Sequence, residues 1–361
     1  MSFLGTRGVP ARYGGFETAI EEIGSRLVGQ MDLSVYGKPE NDMGESYLGM
    51  TRIELPALAF KSLETLSRTL LSVLHVIFVN KPNVVILFNC ANSPFIFLLK
   101  LARIPVILHP DGLEWKRGKW GKFGKFYLKA CEQLGLKNSN FVIADSLVLQ
   151  LYYESEYNVK SEFVAYGANT PINDVGRVEE LNLRPREYLL LVCRFEPENH
   201  PLEIINAFLK SESGFPLVVV GHAPYETEYQ NDLHSILKSK RVIFLGAVWD
   251  QELLNGLYAN CHSYLHGHSV GGTNPGLLRA IANGAQVIAY ESPFNHEVLD
   301  PFGEFFANES DLTGIISRIK KWNDAMESAN ERSRLQILKN YDWDTIAEKY
   351  NQLIEQALDV L

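Results

Sequence analysis

Short, continuous runs of apolar residues alternate along the chain with amphipathic stretches of helical spacing. The apolar runs cover residues 84–88, 105–109, 140–144, 188–193, 216–220, 241–245, 263–266 and 286–290. They are rich in Val, Ile and Leu and do not alternate with polar residues, which indicates strands buried on both faces, as in parallel sheets with crossover helices. Helical spacing lies between the runs, for example over 202–212 and 251–259. The pattern predicts an α/β protein.

A polar stretch at residues 167–176 divides this pattern into two sets. We therefore expect two doubly wound, Rossmann-like domains, over residues 1–168 and 169–342, facing a central cleft. Ligands of such sheets bind at the carboxyl ends of the strands. The tail, residues 343–361, has apolar residues at helical spacing and predicts a closing helix that packs back on the first domain.

Composition excludes several classes of function. The chain has 361 residues and a net charge of −9, which argues against a general nucleic-acid binder. Its four cysteines are far apart and predict neither disulfides nor a zinc site. The longest apolar candidate for a membrane span, residues 70–79, is about half the required length. With no signal-peptide pattern visible, we expect a cytoplasmic protein.

A glycine-rich stretch, GTRGVPARYGGFE at residues 5–17, precedes a predicted helix. Such a turn exposes backbone N–H groups at a helix N-terminus, where the helix dipole also attracts anions. Gly14 and Gly15 would let the backbone approach a phosphate closely, and Arg7 and Arg12 would add positive charge. A tight turn with exposed arginines remains an alternative. The spacing is not that of a dinucleotide-binding fingerprint.

A second glycine-rich turn precedes a helix in the C-terminal half. Its residues offer backbone amides and small polar caps to a phosphate or a sugar: Gly271, Gly272, Thr273 and Asn274. A simple N-capped helix start with Pro275 in its first turn is a compatible alternative.

Arg194 follows the apolar run 188–193, where its guanidinium could bind a diphosphate with two parallel hydrogen bonds. Surface pairing with Glu196 or Glu198 is the alternative.

Other candidates are histidines and carboxylates. His262, His266 and His268 lack a nearby carboxylate and a second pair of ligands, so we predict no metal site and regard His268 as a sugar or phosphate contact.

Asp111 follows the run 105–109 and could accept the proton of an acceptor hydroxyl, with Glu114 as its competitor. A turn with Gly112 is the alternative for Asp111. Asp145 is a weaker candidate for the same role, and capping of a helix is its alternative.

The segment 115–129 is basic and aromatic in an acidic chain. It carries six lysines and arginines and no acidic residue. We expect its first part to bind an anionic membrane surface and a lipid pyrophosphate, through Trp115, Lys116, Arg117, Lys119 and Trp120. The stretch 57–79 could contribute to the same surface. A solvated basic loop with core aromatics is the alternative, and RNA binding is disfavoured by the overall charge.

Several long motifs together resemble one family. GTRGVPARYGGFET, DGLEWKRGKW, CRFEPENH, HGHSVGGTNPGLLRA and SPFNHEVL are similar to segments of the bacterial β-1,4-rhamnosyltransferase-like GT4 glycosyltransferases. The resemblance implies a GT-B fold and a retaining, metal-independent transfer of L-rhamnose from dTDP-L-rhamnose. It implies a lipid-pyrophosphate-linked saccharide as acceptor, at the inner face of the bacterial membrane.

The resemblance also implies where the substrates bind. We expect the donor to contact Gly14, Gly15, Arg194, Asn199, His268 and the second glycine turn. We expect the acceptor to contact Arg12 and Tyr13 as well as the basic segment.

The sequence departs from the GT4 pattern at two positions. Asn199 stands where a lysine is usual, a variant that also resembles the rhamnosyltransferase group. Arg279, which we also place in the donor site, stands where a glutamate usually holds the ribose. A guanidinium cannot accept hydrogen bonds from hydroxyl groups. Three alternatives therefore stay open: a transferase that uses UDP-glucose or UDP-N-acetylglucosamine, a nucleotide-sugar epimerase, and a donor-binding protein with impaired turnover.

Overall fold

The computed structural model describes residues 1–12, 14–39, 44–58, 63–169, 176–222 and 228–360. The chain divides into two compact units. The first comprises Met1–Lys116, Trp120–Gly167 and Trp343–Leu361, and the second comprises Arg117–Lys119 and Ala168–Asp342.

The first unit is built on an eight-stranded sheet. Its strands are β1 (Ser2–Leu4), β2 (Ser34–Gly37), β3 (Ser46–Tyr47), β4 (Met50–Glu54), β5 (Val85–Phe88), β6 (Val106–His109), β7 (Phe141–Ala144) and β8 (Glu162–Phe163). Their order is β3-β4-β2-β1-β5-β6-β7-β8, and every pairing is parallel except that of β3 with β4. The short edge strands were not predicted, because they lack a continuous apolar run.

Helices connect these strands. They are α1 (Gly15–Leu27), α2 (Glu64–His75), α3 (Ile96–Leu101), α4 (Lys122–Asn138) and α5 (Leu147–Tyr157). A π-helical segment, Val76–Asn80, extends α2, and short 3₁₀ helices cover Cys90–Phe95 and Glu114–Lys116.

Three of these helices form one layer on the sheet. Val73 of α2 and Leu99 of α3 join the core formed by alternate strand residues, among them Leu87 and Leu108. Helix α4 lies close to the same Leu108 side chain at Gly135. The layer α2–α3–α4 therefore covers one face of the sheet.

The second unit is built on a six-stranded, fully parallel sheet. Its strands are β9 (Leu189–Val192), β10 (Leu217–Val220), β11 (Val242–Gly246), β12 (Ser263–His266), β13 (Gln286–Tyr290) and β14 (Glu304–Phe306), in the order β11-β10-β9-β12-β13-β14. The helices are α6 (Gly176–Glu179), α7 (Pro201–Lys210), α8 (Glu228–Ile236), α9 (Gln251–Asn260), α10 (Pro275–Ala282), α11 (Pro293–Leu299), α12 (Glu309–Ser317) and α13 (Asp324–Asn340), with a 3₁₀ helix at Pro197–Asn199. The predicted two-domain α/β fold with parallel sheets is confirmed.

The last helix, α14 (Trp343–Leu358), belongs to the first unit. It packs against α1, where Arg26 Nε donates to Asp344 Oδ1 at 2.6 Å. His109 Nδ1 lies 3.0 Å from the hydroxyl of Tyr350. Since His109 follows Leu108 on β6, α14 covers the sheet face opposite the α2–α3–α4 layer.

Among the residues that the structure describes, no helix is both long enough and apolar enough to cross a bilayer.

Candidate functional site

Both glycine-rich turns follow strands at points where the strand order reverses. In the second unit, β9 and β12 are neighbours, although the chain passes from β9 to β10 on the other side. In the first unit, β1 and β5 are neighbours in the same way. Such switch points leave a crevice at the carboxyl ends of the strands, where α/β proteins bind ligands.

In the second unit, the segment after β9 brings Arg194 to this edge. Arg194 is half-buried, and within the described residues its guanidinium has no hydrogen-bonded or ion-paired partner. Burial alone would raise the pKa of Glu196, but the charges of Arg194 and Lys119, together with smaller contributions, outweigh burial and lower that pKa. Burial raises the pKa of Glu198, which is more deeply buried. In this part of the described chain, the Arg194 guanidinium therefore lies near the carboxyl groups of Glu196 and Glu198 without forming a direct ion pair with either.

Asn199 joins the segment after β9 to the segment after β12. Its Nδ2 donates to the carbonyl oxygen of Arg194 at 2.9 Å, and its Oδ1 lies 2.8 Å from His268 Nδ1. Both hydrogen-bonding groups of this buried side chain are therefore used within the protein. Asn199 is placed to orient Arg194 and His268 and has one acceptor lone pair left for a ligand.

His268 is neutral in this environment. Burial lowers its pKa well below the ordinary value, and neighbouring His266 adds to the effect. Because the Asn199 oxygen accepts, Nδ1 carries the proton and Nε2 is an acceptor. Nε2 faces the glycine turn, since a Cβ atom on Gly271 would lie 2.8 Å from it. An uncharged acceptor suits a sugar hydroxyl better than a phosphate oxygen.

The glycine turn after β12 opens into α10. Asn274 Oδ1 accepts from the amides of Gly276 and Leu277 at 2.8 and 3.2 Å, so this residue is the helix N-cap. Thr273 is buried, Gly272 is buried beside it, and Gly271 has a left-handed φ of 139°. Pro275 occupies the first helical turn. The predicted N-cap and the predicted amide turn therefore coexist.

The segment after β9 and the segment after β12 pack closely against each other through their backbones. A Cβ atom on Gly267 would lie 2.1 Å from the carbonyl oxygen of Asn199. The amide of Ser269 donates to the carbonyl oxygen of Glu198 at 3.0 Å. Only glycine fits at position 267 in this arrangement.

Arg279 is bonded to the neighbouring helix α9. Its Nε donates to Asn255 Oδ1 at 2.7 Å, and its Nη1 and Nη2 donate to the Gln251 side chain and backbone at 2.8 and 3.0 Å. Burial lowers its pKa. The guanidinium thus ties α10 to α9.

In the first unit, carboxylates of α1 close the glycine-rich turn. Glu17 Oε1 accepts from the amide of Arg7 at 3.0 Å, and Glu21 Oε2 accepts from the amide of Ala11 at 2.7 Å. Gly8 has a φ of 90°, and a Cβ atom there would lie 2.8 Å from Gly37 Cα. The turn therefore requires glycine at Gly8 and satisfies part of its own amides with internal anions.

The predicted donor residues of this turn lie at the start of α1. Gly14 is its N-cap with an extended backbone, φ −165°, and Gly15 is its first residue. Neither has the left-handed conformation that would require glycine. Arg12 is exposed, whereas Tyr13 lies outside the described residues.

Asp111 follows β6 with a left-handed φ of 77°, an uncommon conformation outside glycine that is enriched in functional segments. It is half-buried, whereas Glu114 is 3% exposed and accepts from Trp120 Nε1 at 3.0 Å. Asp111 is therefore the more accessible of the two candidate carboxylates.

Asp145 lies beside His109, with Oδ2 3.9 Å from Nε2. It does not cap α5; Ser146 does, accepting from the amide of Leu149 at 3.1 Å.

The basic segment is only partly exposed. Lys116 and Lys119 are exposed, Arg117 is buried, and Trp115 and Trp120 are half-buried. Lys129 Nζ lies 4.1 Å from the centroid of the Trp115 ring, a cation–π contact.

Across the described residues, no group of three or more His, Cys, Asp and Glu side chains could hold a metal ion. Sequence reasoning missed Glu17 and Glu21 as partners of the first turn. Their spacing from the amides they bind, ten residues, follows no local motif.

Two family models match the chain. Residues 1–169 match the domain of unknown function DUF1972, and residues 177–336 match the family described as glycosyl transferases group 1. No curated protein matches the chain.

Three solved structures illustrate the fold. Sucrose-phosphate synthase from Thermosynechococcus elongatus has a TM-score of 0.85 at 17% identity, covering 100% of this chain and 99% of that one. Anabaena HepE in complex with UDP-glucose has a TM-score of 0.75 at 16% identity, covering 100% of each chain. A glycosyltransferase from Rickettsia africae ESF-5 has a TM-score of 0.71 at 15% identity, covering 99% of this chain and 98% of that one. The GT-B fold is confirmed.

Proposed function

We propose that the chain transfers a hexosyl group from a nucleotide sugar to a saccharide acceptor, on the premise that residues 177–336 match the family described as glycosyl transferases group 1. The donor is dTDP-L-rhamnose, the acceptor is linked to a lipid pyrophosphate, and the anomeric configuration is retained. The rhamnose and lipid assignments follow from the sequence motifs, including GTRGVPARYGGFET and HGHSVGGTNPGLLRA.

One observation carries the donor site: the anion-binding groups at the switch point between β9 and β12. Arg194 offers a guanidinium that pairs with no side chain in the described part of the chain, and the turn before α10 offers the backbone amides of Gly271 and Gly272, ahead of the Asn274 cap. His268 and Asn199 form a neutral hydrogen-bonded pair between them. A diphosphate suits the guanidinium and the amides, and a sugar hydroxyl suits the neutral imidazole.

These groups support a transfer that needs no metal. When the bond between the anomeric carbon and the diphosphate oxygen breaks, negative charge develops on the leaving diphosphate. Arg194 and the backbone amides of the glycine turn before α10 stabilise that charge. The acceptor oxygen bonds to the anomeric carbon, and its proton passes to a carboxylate, for which we propose Asp111. Glu114 is less suited because it is buried and bonded to Trp120.

A second donor, UDP-glucose, has a specific observation in its favour. HepE, whose fold this chain shares, was solved in complex with UDP-glucose. The identity is too low to carry the donor across, so the donor base and sugar must be measured together.

A thermal-shift panel tests the donor. The purified protein is heated with dTDP-L-rhamnose, UDP-glucose, UDP-N-acetylglucosamine, GDP-mannose and ATP, each with excess chelator, because stabilisation follows occupancy of the folded state. We expect dTDP-L-rhamnose to raise the unfolding temperature most. Equal shifts for all five compounds, or shifts that chelator abolishes, would contradict the proposal. Product formation only with added acceptor separates a transferase from an epimerase.

Replacing Asp111 by Asn tests the proposed base. Loss of a general base costs roughly 10²–10⁴-fold in rate, so we expect D111N to lose transfer while the donor still shifts its unfolding temperature. E114Q serves as the matched variant and should keep most of its activity. The assignment is wrong if E114Q, and not D111N, loses transfer.

A further inference from the structure

The α2–α3–α4 layer of the first unit carries large apolar side chains on the side away from its sheet. We call six of them the outer apolar face: Leu74, Phe78, Phe97, Leu101, Phe123 and Phe126. Leu101 and Phe123 are each 85% exposed, Phe126 is 73% exposed and Phe78 is 72% exposed. Single exposed apolar residues are ordinary, but a set that spans three adjacent helices marks an interaction surface.

Helix α2 buries polar side chains beside its core valine and exposes leucines. Its buried residues are Arg68, Thr69, Ser72 and Val73, whereas Leu70 and Leu74 are exposed. The buried hydroxyls bond within the helix: Thr69 Oγ1 donates to the Thr65 carbonyl at 2.9 Å, and Ser72 Oγ donates to the Arg68 carbonyl at 2.8 Å. The small satisfied side chains pack inward and the leucines face outward, an arrangement that suits an apolar partner.

The charge around this face has a single sign. Residues 63–140 contain eleven lysines and arginines and four acidic residues, in a chain whose net charge is −9. Lys81, Lys100, Arg103, Lys122 and Lys137 are exposed.

The acidic residues of this segment are withdrawn from the surface. Glu114 and Glu132 are buried, Glu64 pairs with Arg68 at 2.9 Å, and Asp111 is half-buried after β6. An apolar face flanked by exposed cations is complementary to a bilayer in which apolar acyl chains lie beneath anionic headgroups.

We propose that the outer apolar face of the α2–α3–α4 layer docks on a bilayer that contains anionic phospholipids. Phe123, Phe126, Phe78 and Leu101 enter the boundary between headgroups and acyl chains, and the flanking cations contact lipid phosphates. The proposal deepens the proposed use of a lipid-linked acceptor and rests on it for its purpose, but its test needs no transfer reaction. It shifts membrane binding from the segment 115–120 to three places: α2 with its π-helical extension, α3 in the β5–β6 connection, and the start of α4.

Two kinds of interaction contribute to this binding. Burial of apolar side chains in the acyl region removes them from water, and each Lys or Arg near an anionic surface is attracted to the lipid phosphates. Binding should therefore require both anionic lipid and the aromatic side chains, and should weaken as salt screens the charges.

Co-sedimentation with vesicles tests the proposal. The full chain is mixed with vesicles of phosphatidylglycerol and phosphatidylcholine, and in parallel with vesicles of phosphatidylcholine alone. We expect binding only to the anionic vesicles. The double variant F123S/F126S should weaken it at least about tenfold, because it removes two aromatic rings from the buried contact. Both side chains are largely exposed, so folding should be unaffected, which the unfolding temperature checks.

Matched controls distinguish this face from general surface chemistry. L101S should weaken vesicle binding, whereas L335S, which removes a 57% exposed leucine of α13, should not. K122E should weaken it more than K240E, which changes an exposed lysine of the second unit. Failure of donor binding with intact vesicle binding would overturn the proposed function alone.

Three results would overturn the docking surface. The first is that the chain does not bind anionic vesicles, and the second is that F123S/F126S binds them as well as the unchanged protein. The third is that light scattering shows the chain to self-associate and L101S to be a monomer. The last would assign the face to a second copy.

Discussion

The two glycine-rich turns look alike in sequence but differ in how their backbone amides are satisfied. The turn before α1 receives carboxylates from its own helix, with Glu17 bonded to Arg7 and Glu21 bonded to Ala11. The turn before α10 instead has an amide-capping Asn274, with the neutral His268 and Arg194 nearby.

This difference separates a turn whose amides bond to carboxylates of the following helix from a turn that is flanked by a cation and a neutral imidazole. Glycine content and a following helix are common to both, so those features alone do not identify a phosphate site. What distinguishes the two turns is the kind of side chain that lies beside their backbone amides. The first turn is held as part of the fold, and the second is the stronger candidate for the leaving diphosphate.

The largest expected effect is that of R194A on nucleotide affinity. Hydrogen bonds to a charged group contribute about 1.5–3 kcal/mol, so the dissociation constant of a nucleoside diphosphate should rise roughly 10–100-fold. Isothermal titration calorimetry measures it, with R12A, an exposed arginine beside the first turn, as the matched variant. If R12A weakens binding and R194A does not, the roles of the two turns are reversed.

Acid should destabilise the second unit through its buried histidines. Burial lowers the pKa of His266 from 6.5 to about 3, so the unfolded state binds more protons than the folded state between these values. Stability therefore falls as the pH drops below 6.5, by about 2 kcal/mol at pH 5 for this group alone. Urea unfolding at several pH values measures the slope, and H266Q should flatten it. Parallel slopes for the two proteins would contradict this account.

E17A should destabilise the first unit without weakening nucleotide binding. It leaves the Arg7 amide without its carboxylate and should cost about 1–2 kcal/mol. E22A removes an i,i+4 ion pair with Arg26 on the same helix and should cost about 0.5 kcal/mol. Urea unfolding and calorimetry measure the two effects. A tenfold gain in nucleotide affinity for E17A would show that the first turn binds phosphate after all.

The smallest expected effect is that of R279E. It replaces a guanidinium bound to Gln251 and Asn255 by a carboxylate that can accept from ribose hydroxyls. We expect a stability loss of about 1 kcal/mol and a modest gain in nucleotide affinity. R279M removes the same contacts to α9 without adding an acceptor and should show the stability loss alone. Equal affinities for R279E and R279M would assign Arg279 to the fold only.

The buried strands could be predicted because they carry a local signal. Runs such as 84–88 and 286–290 are continuous, apolar and β-branched, and they form β5 and β13. Strand β4, with the sequence MTRIE, has a polar, partly exposed pattern and gives no such signal. The exposure of leucines on α2 also lay beyond prediction, because periodicity identifies an apolar side but not whether that side faces the sheet.

The residue types of the candidate site could be predicted from the sequence, but the contacts between those residues could not. Helix capping by Asn274 follows from local spacing, with Pro275 next in sequence. The Asn199–His268 bond joins residues 69 positions apart. The attachment of Arg279 to α9 likewise depends on packing. Both needed the tertiary structure, because β9 and β12 become neighbours only in the folded sheet.

The central claim is that the second unit holds a nucleoside diphosphate by Arg194 and the backbone amides of the glycine turn before α10, without a divalent ion. A crystal structure of the protein with UDP or dTDP, grown in excess chelator, tests it directly. The account predicts both phosphates within hydrogen-bond distance of the Arg194 guanidinium and the turn 271–274. Phosphates bound at the turn before α1 and away from Arg194 would contradict it.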